Sequence, residues 1–572
     1  MTVDPAGLRE RVAPTVAHCA SLGEALDDAL VQHKSLTALI EADRKREASR
    51  WSYLDVARAV RQVARRLEAQ GIGPDRRVAV LMGNQPRWLV TAAAVFRRGA
   101  VLVPLDPKLE PAEQQALLAH CQADLLVVDH ALWRKLPDPP PCWVVDAPPD
   151  ADVVRWDDLP DLPEDGPPAV PRTRDDLACI VYSSGTGGRA KGCQLSHGAY
   201  LAQLDALLKR FPMAPGDRYF SVLPTNHAID FMVGFVGPFV CGATVVHQRT
   251  LRPELLRFTM QRYRVTHMAV VPMLLAAFDR AVQERLDGLP SWQRGVADAL
   301  VGLNARLTER RPRHALSSRL LAPIHAAFGG HLRLVFCGGA ATDRALVERF
   351  AALGLPVVVG YGLTEACTVV TVNGTQPVRG DSVGAPVDGV TVRIDRPDAD
   401  GVGEVLVAGP TLMRGYLDDP ELTAETIRDG WLHTGDLGWV DASGHLHLVG
   451  RSKDVIVTAG GKNVYPEDVA FAFRELDGAE ELEVFAAHTL WPARSLEGEA
   501  LVLVVRADDV GDLLPRIAAR NRGLAGYKRV SGVLPWSAAF PGPRRFKVKR
   551  RELAAAIGQS AGREAVLPLG GG

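Results

Sequence analysis

The run Tyr182-Ser183-Ser184-Gly185-Thr186-Gly187-Gly188-Arg189-Ala190-Lys191-Gly192 combines small hydroxyl residues, glycines and one lysine. Backbone N–H and hydroxyl groups on such a loop can surround phosphate oxygens without side-chain clash. Lys191 adds a positive point charge. No Gly-Lys-Ser/Thr triplet closes the run, so it is not a Walker A loop. An apolar strand, Leu177 to Val181, leads into it. A helix is expected to follow, capped by Ser196, with Leu201, Leu204, Leu207 and Leu208 on one face. Strand, loop and helix in that order point to a bound phosphate group. A flexible Gly/Ser turn is the bland alternative.

Other residues could do chemistry but say less alone. Thr364 and Glu365 follow Gly360-Tyr361-Gly362-Leu363; an isolated Thr-Glu pair is usually a helix cap. Asp436 closes Thr434-Gly435-Asp436, where a turn aspartate is the plain reading. The block Arg544 to Arg551 is strongly basic; a solvated helix start is its bland reading and a nucleic-acid contact a weaker third. His227 ends Leu223-Pro224-Thr225-Asn226-His227. His445 and His447 fit two positions on one strand face, and without a third ligand they read as structural.

The elements that must position these residues alternate. Tyr53 to Gln70 and Trp88 to Arg98 have helical spacing, while 77–82, 101–104 and 125–128 are short apolar runs. Strands alternating with helices predict a parallel α/β sheet. Pro137 to Pro171 is Pro-rich and acidic and is expected to be a surface loop with a few short strands. The alternation resumes from Leu177 to about Tyr361. Residues 381–450 show short β-like runs between Gly and Asp, as in a small antiparallel sheet or barrel. A separate α+β unit, with a strand near 501–505 and a helix at 513–522, is expected after Arg451.

At 572 residues the chain is too long for one core. Its 66 Lys+Arg against 67 Asp+Glu exclude a chain built globally to hold nucleic acid or an anionic membrane, and leave local basic patches open. The eight cysteines are scattered without a CxxC pair, as expected of free thiols in a reducing compartment. Met1 to Arg11 is polar, and the longest apolar stretch, Ile229 to Val246, is broken by Asp230, Pro238 and three glycines. Neither a signal peptide nor a membrane span is expected, and the cytoplasm is the expected location.

Several motifs stand in order: the phosphate loop, 223–227, Cys337-Gly338-Gly339-Ala340-Ala341, Gly360 to Glu365, Gly403-Glu404 and Met413-Arg414-Gly415-Tyr416. Trp431-Leu432-His433-Thr434-Gly435-Asp436, Gly450-Arg451-Ser452-Lys453-Asp454 and Lys547 ahead of Lys549-Arg550-Arg551-Glu552-Leu553 follow. Together, across about residues 50–555, they resemble the adenylate-forming superfamily of acyl-CoA synthetases, peptide-synthetase adenylation domains and luciferases. Residues 324–330 and 460–467 look most like the fatty acyl-CoA synthetases.

The resemblance implies an α/β fold. A large N-terminal domain (1–450) of Rossmann-like subdomains plus a small β-barrel-like one is joined by a hinge (451–453) to a mobile α+β domain (454–572). It implies AMP-forming ligation: ATP, Mg²⁺ and a carboxylic acid give an acyl-adenylate, and the acyl group passes to CoA. ATP and AMP would be held by Ser183, Ser184, Gly185, Thr186, Gly187, Lys191, Gly338, Gly339, Ala340, Gly360, Tyr361, Gly362, Thr364, Asp436 and Arg451. Tyr361 would stack on adenine, Asp436 would accept the ribose hydroxyls, and Glu365 would bind Mg²⁺. Lys547 would bridge carboxylate and α-phosphate, Lys453 would be the hinge, and Gly460 and Gly461 would lie on the thiol side. His227, Phe231 and Gly234 would line the acyl pocket.

The chain departs from the family at four places, the least consequential being Ala470, where a glutamate is common. Gly187 replaces a threonine, which removes a hydroxyl donor but keeps backbone donors. Ala190 replaces a proline. Phe546 stands where glycine precedes the late lysine. Loading of a carrier-protein phosphopantetheine after the same first step is a close alternative, and Gly187 and Phe546 motivate a different one, an adenylate-binding protein that no longer turns over. A medium- to long-chain fatty acid is the expected substrate. Gly234 and Gly237 would leave a bare stripe along which a methylene chain could pass if 229–240 is helical.

Overall fold

A computed structural model describes residues 2–3, 10–11, 15–158, 166–183, 191–250, 252–309, 311–339, 342–451, 456–457, 463–464, 466–474, 476–491, 500–524, 526–541 and 548–569. The chain divides into two compact units. The first is Met1–Arg393 with Leu406–His433 and Asp441–Leu446; the second is Ile394–Val405 with Thr434–Val440 and His447–Gly572.

Two sheets organise the first unit. One has seven strands in the spatial order Gly415–Tyr416, Lys191–Ser196, Leu177–Ser183, Val101–Pro104, Arg77–Leu81, Leu125–Asp129 and Cys142–Val145. The five strands beyond the Lys191–Ser196 hairpin arm run parallel. Their runs are apolar throughout because helices cover both faces. Helix Tyr53–Ala69 starts at a capping box in which Ser52 and Asp55 satisfy each other's backbone N–H groups. Its Val56, Val60, Val63 and Leu67 form the buried stripe.

The second sheet has nine strands. Its parallel centre runs Val357–Tyr361, Leu334–Cys337, His267–Val270, Arg218–Ser221, Thr244–Gln248 and Thr37–Asp43. The strand Thr37–Asp43 was not expected from the sequence. It pairs antiparallel with the adjacent Arg46–Ser52 and parallel with Thr244–Gln248, about 200 positions later.

Residues 391–451 supply a five-stranded sheet, with Leu446–Arg451 beside Trp431–Val440. The second unit holds a four-stranded sheet, Glu481–Ala486, Leu501–Arg506, Val530–Pro535 and Leu567–Pro568. Phe473, Val484, Leu503, Ile517 and Val533 form the middle of one of its cores. All eight cysteines are free thiols, and seven are buried. Among the described residues no helix is long and apolar enough to cross a membrane.

For the strands that build the site we use β1 (Leu177–Ser183), β2 (Lys191–Ser196), β3 (Arg218–Ser221), β4 (His267–Val270), β5 (Leu334–Cys337), β6 (Val357–Tyr361) and β7 (Gly415–Tyr416).

Candidate active site

The expected strand–loop–helix order needs one correction. Strand β2 intervenes, pairing antiparallel with β1 so that Lys191 lies opposite Ser183. The helix then begins at His197, with the Ser196 hydroxyl accepting from Ala199 N–H at 3.2 Å. Ser183 and Lys191 thus face each other as the paired ends of the two arms. Ser184, Gly185, Thr186 and Gly187 lie outside the described residues.

Glu365 gathers three segments. Its Oε1 accepts from Ser183 Oγ at 3.2 Å and from Tyr416 OH at 3.0 Å. Its carbonyl accepts Met413 N–H at 2.8 Å. Lys191 Nζ lies 5.1 Å from the centre of the Tyr416 ring, a cation–π contact. Burial and the Glu365 charge push the Tyr416 phenol well above its usual range, so it stays protonated and donates. One carboxylate, two hydroxyls and one ammonium therefore meet at the mouth of β1, β2 and β7. Sequence reasoning missed Tyr416, although it closes the motif Met413-Arg414-Gly415-Tyr416.

The turn that presents Glu365 is forced. Cys367 has φ of 54° and Thr368 of 100°, conformations that L-residues rarely adopt, least of all a β-branched threonine. Hydrogen bonds from Thr368 N–H to Leu363 carbonyl (3.2 Å) and from Val370 N–H to Tyr361 carbonyl (2.8 Å) hold the turn closed. Gly362 makes room for it: a Cβ there would stand 1.5 Å from the Thr368 oxygen. Gly338 and Gly360 allow another close approach, a Cβ on Gly338 lying 3.3 Å from the Gly360 oxygen. Tyr361 and Thr364, both partly exposed, follow the C-terminal end of β6. Gly338 and Gly339 follow β5, and Ala340 lies outside the described residues. Ligands of parallel α/β sheets sit at such carboxyl ends.

His227 lies after β3, half-exposed, with Nε2 3.7 Å from Asp106 Oδ2. The surrounding protein and Lys108 lower its basicity against the pull of Asp106, which favours neutral imidazole. Ile229 reaches the Gly338 backbone, its Cδ1 lying 3.5 Å from the position of a Cβ there. The segment after His227 thus borders the Gly338 loop.

The expected bare stripe is not present. Asp230–Val236 forms a π-helical turn. The Asp230 carboxyl folds back over Gly234, where a Cβ would stand 2.2 Å from Oδ1. Phe231 is 3% exposed and packs edge-on against Trp88, Phe96, Tyr200 and Phe235. Gly234 and Phe231 therefore serve the core rather than a tunnel.

Asp230 is a feature the sequence did not announce. Ser221 Oγ (2.8 Å), Thr225 Oγ1 (2.9 Å) and Tyr219 OH (3.4 Å) all donate to it. Asn84 extends the network, donating to Ser221 Oγ at 2.8 Å and accepting from Thr225 N–H at 2.8 Å. The network ties the end of β3 to the loop bearing His227. Full burial raises the carboxyl from 3.8 to about 7, and the three hydroxyls pull the other way. Between about pH 4 and 7 the folded chain therefore keeps a proton that the unfolded chain has released. Stability should fall across that window, by on the order of 4 kcal/mol from this group. Urea unfolding at pH 5 and pH 8 should show this fall, and Asp230→Asn should flatten it. An unchanged pH slope in Asp230→Asn would count against the assignment.

In the second unit Arg451 Nε meets Asp436 Oδ1 at 3.0 Å. Gly435, at φ +68°, donates to Glu404 Oε1 at 3.0 Å and so sets the turn before Asp436. His445 hydrogen-bonds Ser382, and His447 stacks on Trp439 at 4.1 Å; both are structural. Lys453, Gly460, Gly461 and Lys547 lie outside the described residues.

A family model described as AMP-binding enzyme matches residues 26–417. A feruloyl-CoA synthase from Amycolatopsis sp is 31% identical over 489 residues, spanning 83% of this chain and 88% of its own. A 3-[(3aS,4S,7aS)-7a-methyl-1,5-dioxo-octahydro-1H-inden-4-yl]propanoyl:CoA ligase from Mycobacterium tuberculosis is 30% identical over 551 residues, 90% of this chain and 96% of its own. ATP-bound MatB from Rhodopseudomonas palustris has a TM-score of 0.73 at 25% identity, covering 94% of this chain and 99% of that one.

Proposed function

The chain belongs to the AMP-binding enzymes and is an acid–thiol ligase of the acyl-CoA synthetase type; from that premise we propose that it activates a bulky, largely apolar carboxylic acid that carries no amino group. The finer reading is a medium- to long-chain fatty acid.

The observation that carries this is Asp230. It is the one acid in the segment 227–240. It is fully buried under three hydroxyl donors and covers Gly234. It is thereby spent on structure and offers nothing to a substrate ammonium. Ile229 beside Gly338 adds apolar surface at the same end of the sheet.

In the proposed chemistry the acid's oxygen attacks the α-phosphorus of ATP, the bond to the β-phosphate oxygen breaks, and pyrophosphate leaves. The CoA sulfur then attacks the acyl carbonyl and AMP leaves. Anion meets polyanion in the first step, so positive charge must be placed in advance. Lys191 supplies one such charge at the hairpin, and Lys547 is proposed for the reacting phosphate itself. Thr364 is proposed to donate to a phosphate oxygen and Tyr361 to stack on the base. The partly exposed Glu365 carboxylate and Ser183 hydroxyl, with the buried Tyr416 hydroxyl behind them, make a hard oxygen set that would suit Mg²⁺ and the charge neutralisation it supplies when bound. Asp436 is proposed for the ribose, sharing its two oxygens with Arg451. Lys453 as hinge and Gly460 and Gly461 on the thiol side complete the reading.

The test is kcat/KM over straight-chain acids, ferulate and amino acids. Straight-chain acids should improve several-fold per added carbon, because each buried CH₂ contributes about 0.8 kcal/mol. Ferulate ahead of every straight-chain acid would overturn the fatty-acid reading alone. Preference for acetate or an amino acid would overturn the apolar-acid reading as well.

A further inference from the structure

Two helices follow β4: α1 (Pro272–Asp287) and α2 (Ser291–Thr308). A surface helix normally turns its apolar face inward and its polar face to water. In α2 the order is reversed. The buried residues are Asn304, fully covered, and Thr308, 7% exposed. Asn304 donates through Nδ2 to the Ala352 carbonyl at 2.8 Å, and Thr308 Oγ1 donates to the Asn304 carbonyl at 2.7 Å. Four of its large apolar residues face out, while Leu300 and Val301 are partly covered: Trp292 is 69% exposed, Val296 52%, Leu303 46% and Leu307 45%. At 100° per residue these four fall within an arc of about 60°. One exposed leucine needs no explanation, but an ordered stripe of four, led by a tryptophan, marks a surface that something covers.

Charge indicates what covers it. Residues 280–319 carry eight arginines, no lysine and four acids, whereas the whole chain is balanced. Arg294 pairs with Asp287 at 3.0 Å. Arg306, Arg311, Arg313 and Arg319 are exposed and meet no carboxylate among the described residues. Arg306 sits about 40° outside the apolar arc, on its border. A second copy docking through the same face would bring the two sets of arginines together, which disfavours an isologous contact. An anionic bilayer surface supplies what this face lacks, acyl chains for the stripe and headgroup phosphates for the guanidinium groups.

We propose that α2 is a membrane-surface anchor that lays Trp292, Val296, Leu303 and Leu307 into the interface of an anionic leaflet. The helix lies in the plane of the surface and does not span the bilayer. The proposal is independent of which acid the enzyme activates, although an apolar acid would be concentrated in the same lipid.

The test is co-sedimentation of the full chain with vesicles of phosphatidylcholine alone or mixed with phosphatidylglycerol. Binding should require phosphatidylglycerol and weaken as salt rises. Leu303→Ser with Leu307→Ser should lower partitioning at least tenfold, and Arg311→Glu with Arg313→Glu should remove the salt-sensitive part. Both variants should keep the wild-type unfolding midpoint and ligase activity on a water-soluble acid. Brominated phosphatidylglycerol should quench tryptophan fluorescence in the wild type and less in Trp292→Ser. Equal binding to neutral vesicles, no binding, or binding unaffected by the leucine changes would overturn the proposal. So would a concentration-dependent dimer that the leucine changes abolish, which would assign the face to a second copy.

Discussion

Glu365→Gln should lower the rate of acid-dependent adenylation by about 10²–10³ while leaving the fold intact. The amide keeps the size of the side chain and one oxygen that can accept from Ser183 and Tyr416. What disappears is the negative charge that suits a hard divalent ion. Losing one preorganised charge partner of a phosphoryl-transfer transition state typically costs about 3–4 kcal/mol. The Mg²⁺ concentration for half-maximal rate should rise along with the loss. A variant with the wild-type rate at ordinary Mg²⁺ would remove Glu365 from the metal role and leave it as the brace between β1 and β7.

Lys547→Ala should be comparably damaging to adenylation, about 10²–10³ in rate, for a different reason. The lysine is proposed to meet both the attacking carboxylate and the α-phosphate, so its charge matters only while that bond forms. Thioester formation from supplied acyl-adenylate should therefore suffer much less. Adenylation unchanged in Lys547→Ala would transfer the role to Lys549, whose Nζ lies 3.0 Å from Glu552 Oε1. Equal loss of both half-reactions would argue against a role confined to the first.

The parallel strands at 77–81, 101–104, 125–129 and 177–183 were legible because their mostly apolar runs are bounded by turn residues, whereas Thr37–Asp43 was not. The end of β6 was legible because Gly360, Gly362 and Tyr361 stand at fixed spacing around a turn that tolerates little else. Gly362 shows why: the Thr368 carbonyl occupies the space of any side chain. Ser196 was rightly read as a cap, but β2 was hidden because a hairpin arm with polar ends lacks strand-like alternation. The segment after His227 misled for a physical reason. Two glycines three apart imply a groove only if no neighbouring side chain fills it, and Asp230, one turn earlier, does so. Its burial could not be read locally, since the donors that pay its desolvation come from β3 and the 222–227 loop. The Glu365–Tyr416 contact likewise joins residues 51 positions apart, and only the pairing of β2 with β7 brings them together.

The most direct measurement is product analysis with ATP, CoA and a panel of apolar acids, beside isotope exchange between pyrophosphate and ATP without CoA. The account predicts exchange only when a suitable acid is present, and then AMP, pyrophosphate and acyl-CoA in equal amounts once CoA is added. Formation of ADP and phosphate, or binding of adenylate with no acid-dependent exchange across the panel, would contradict it.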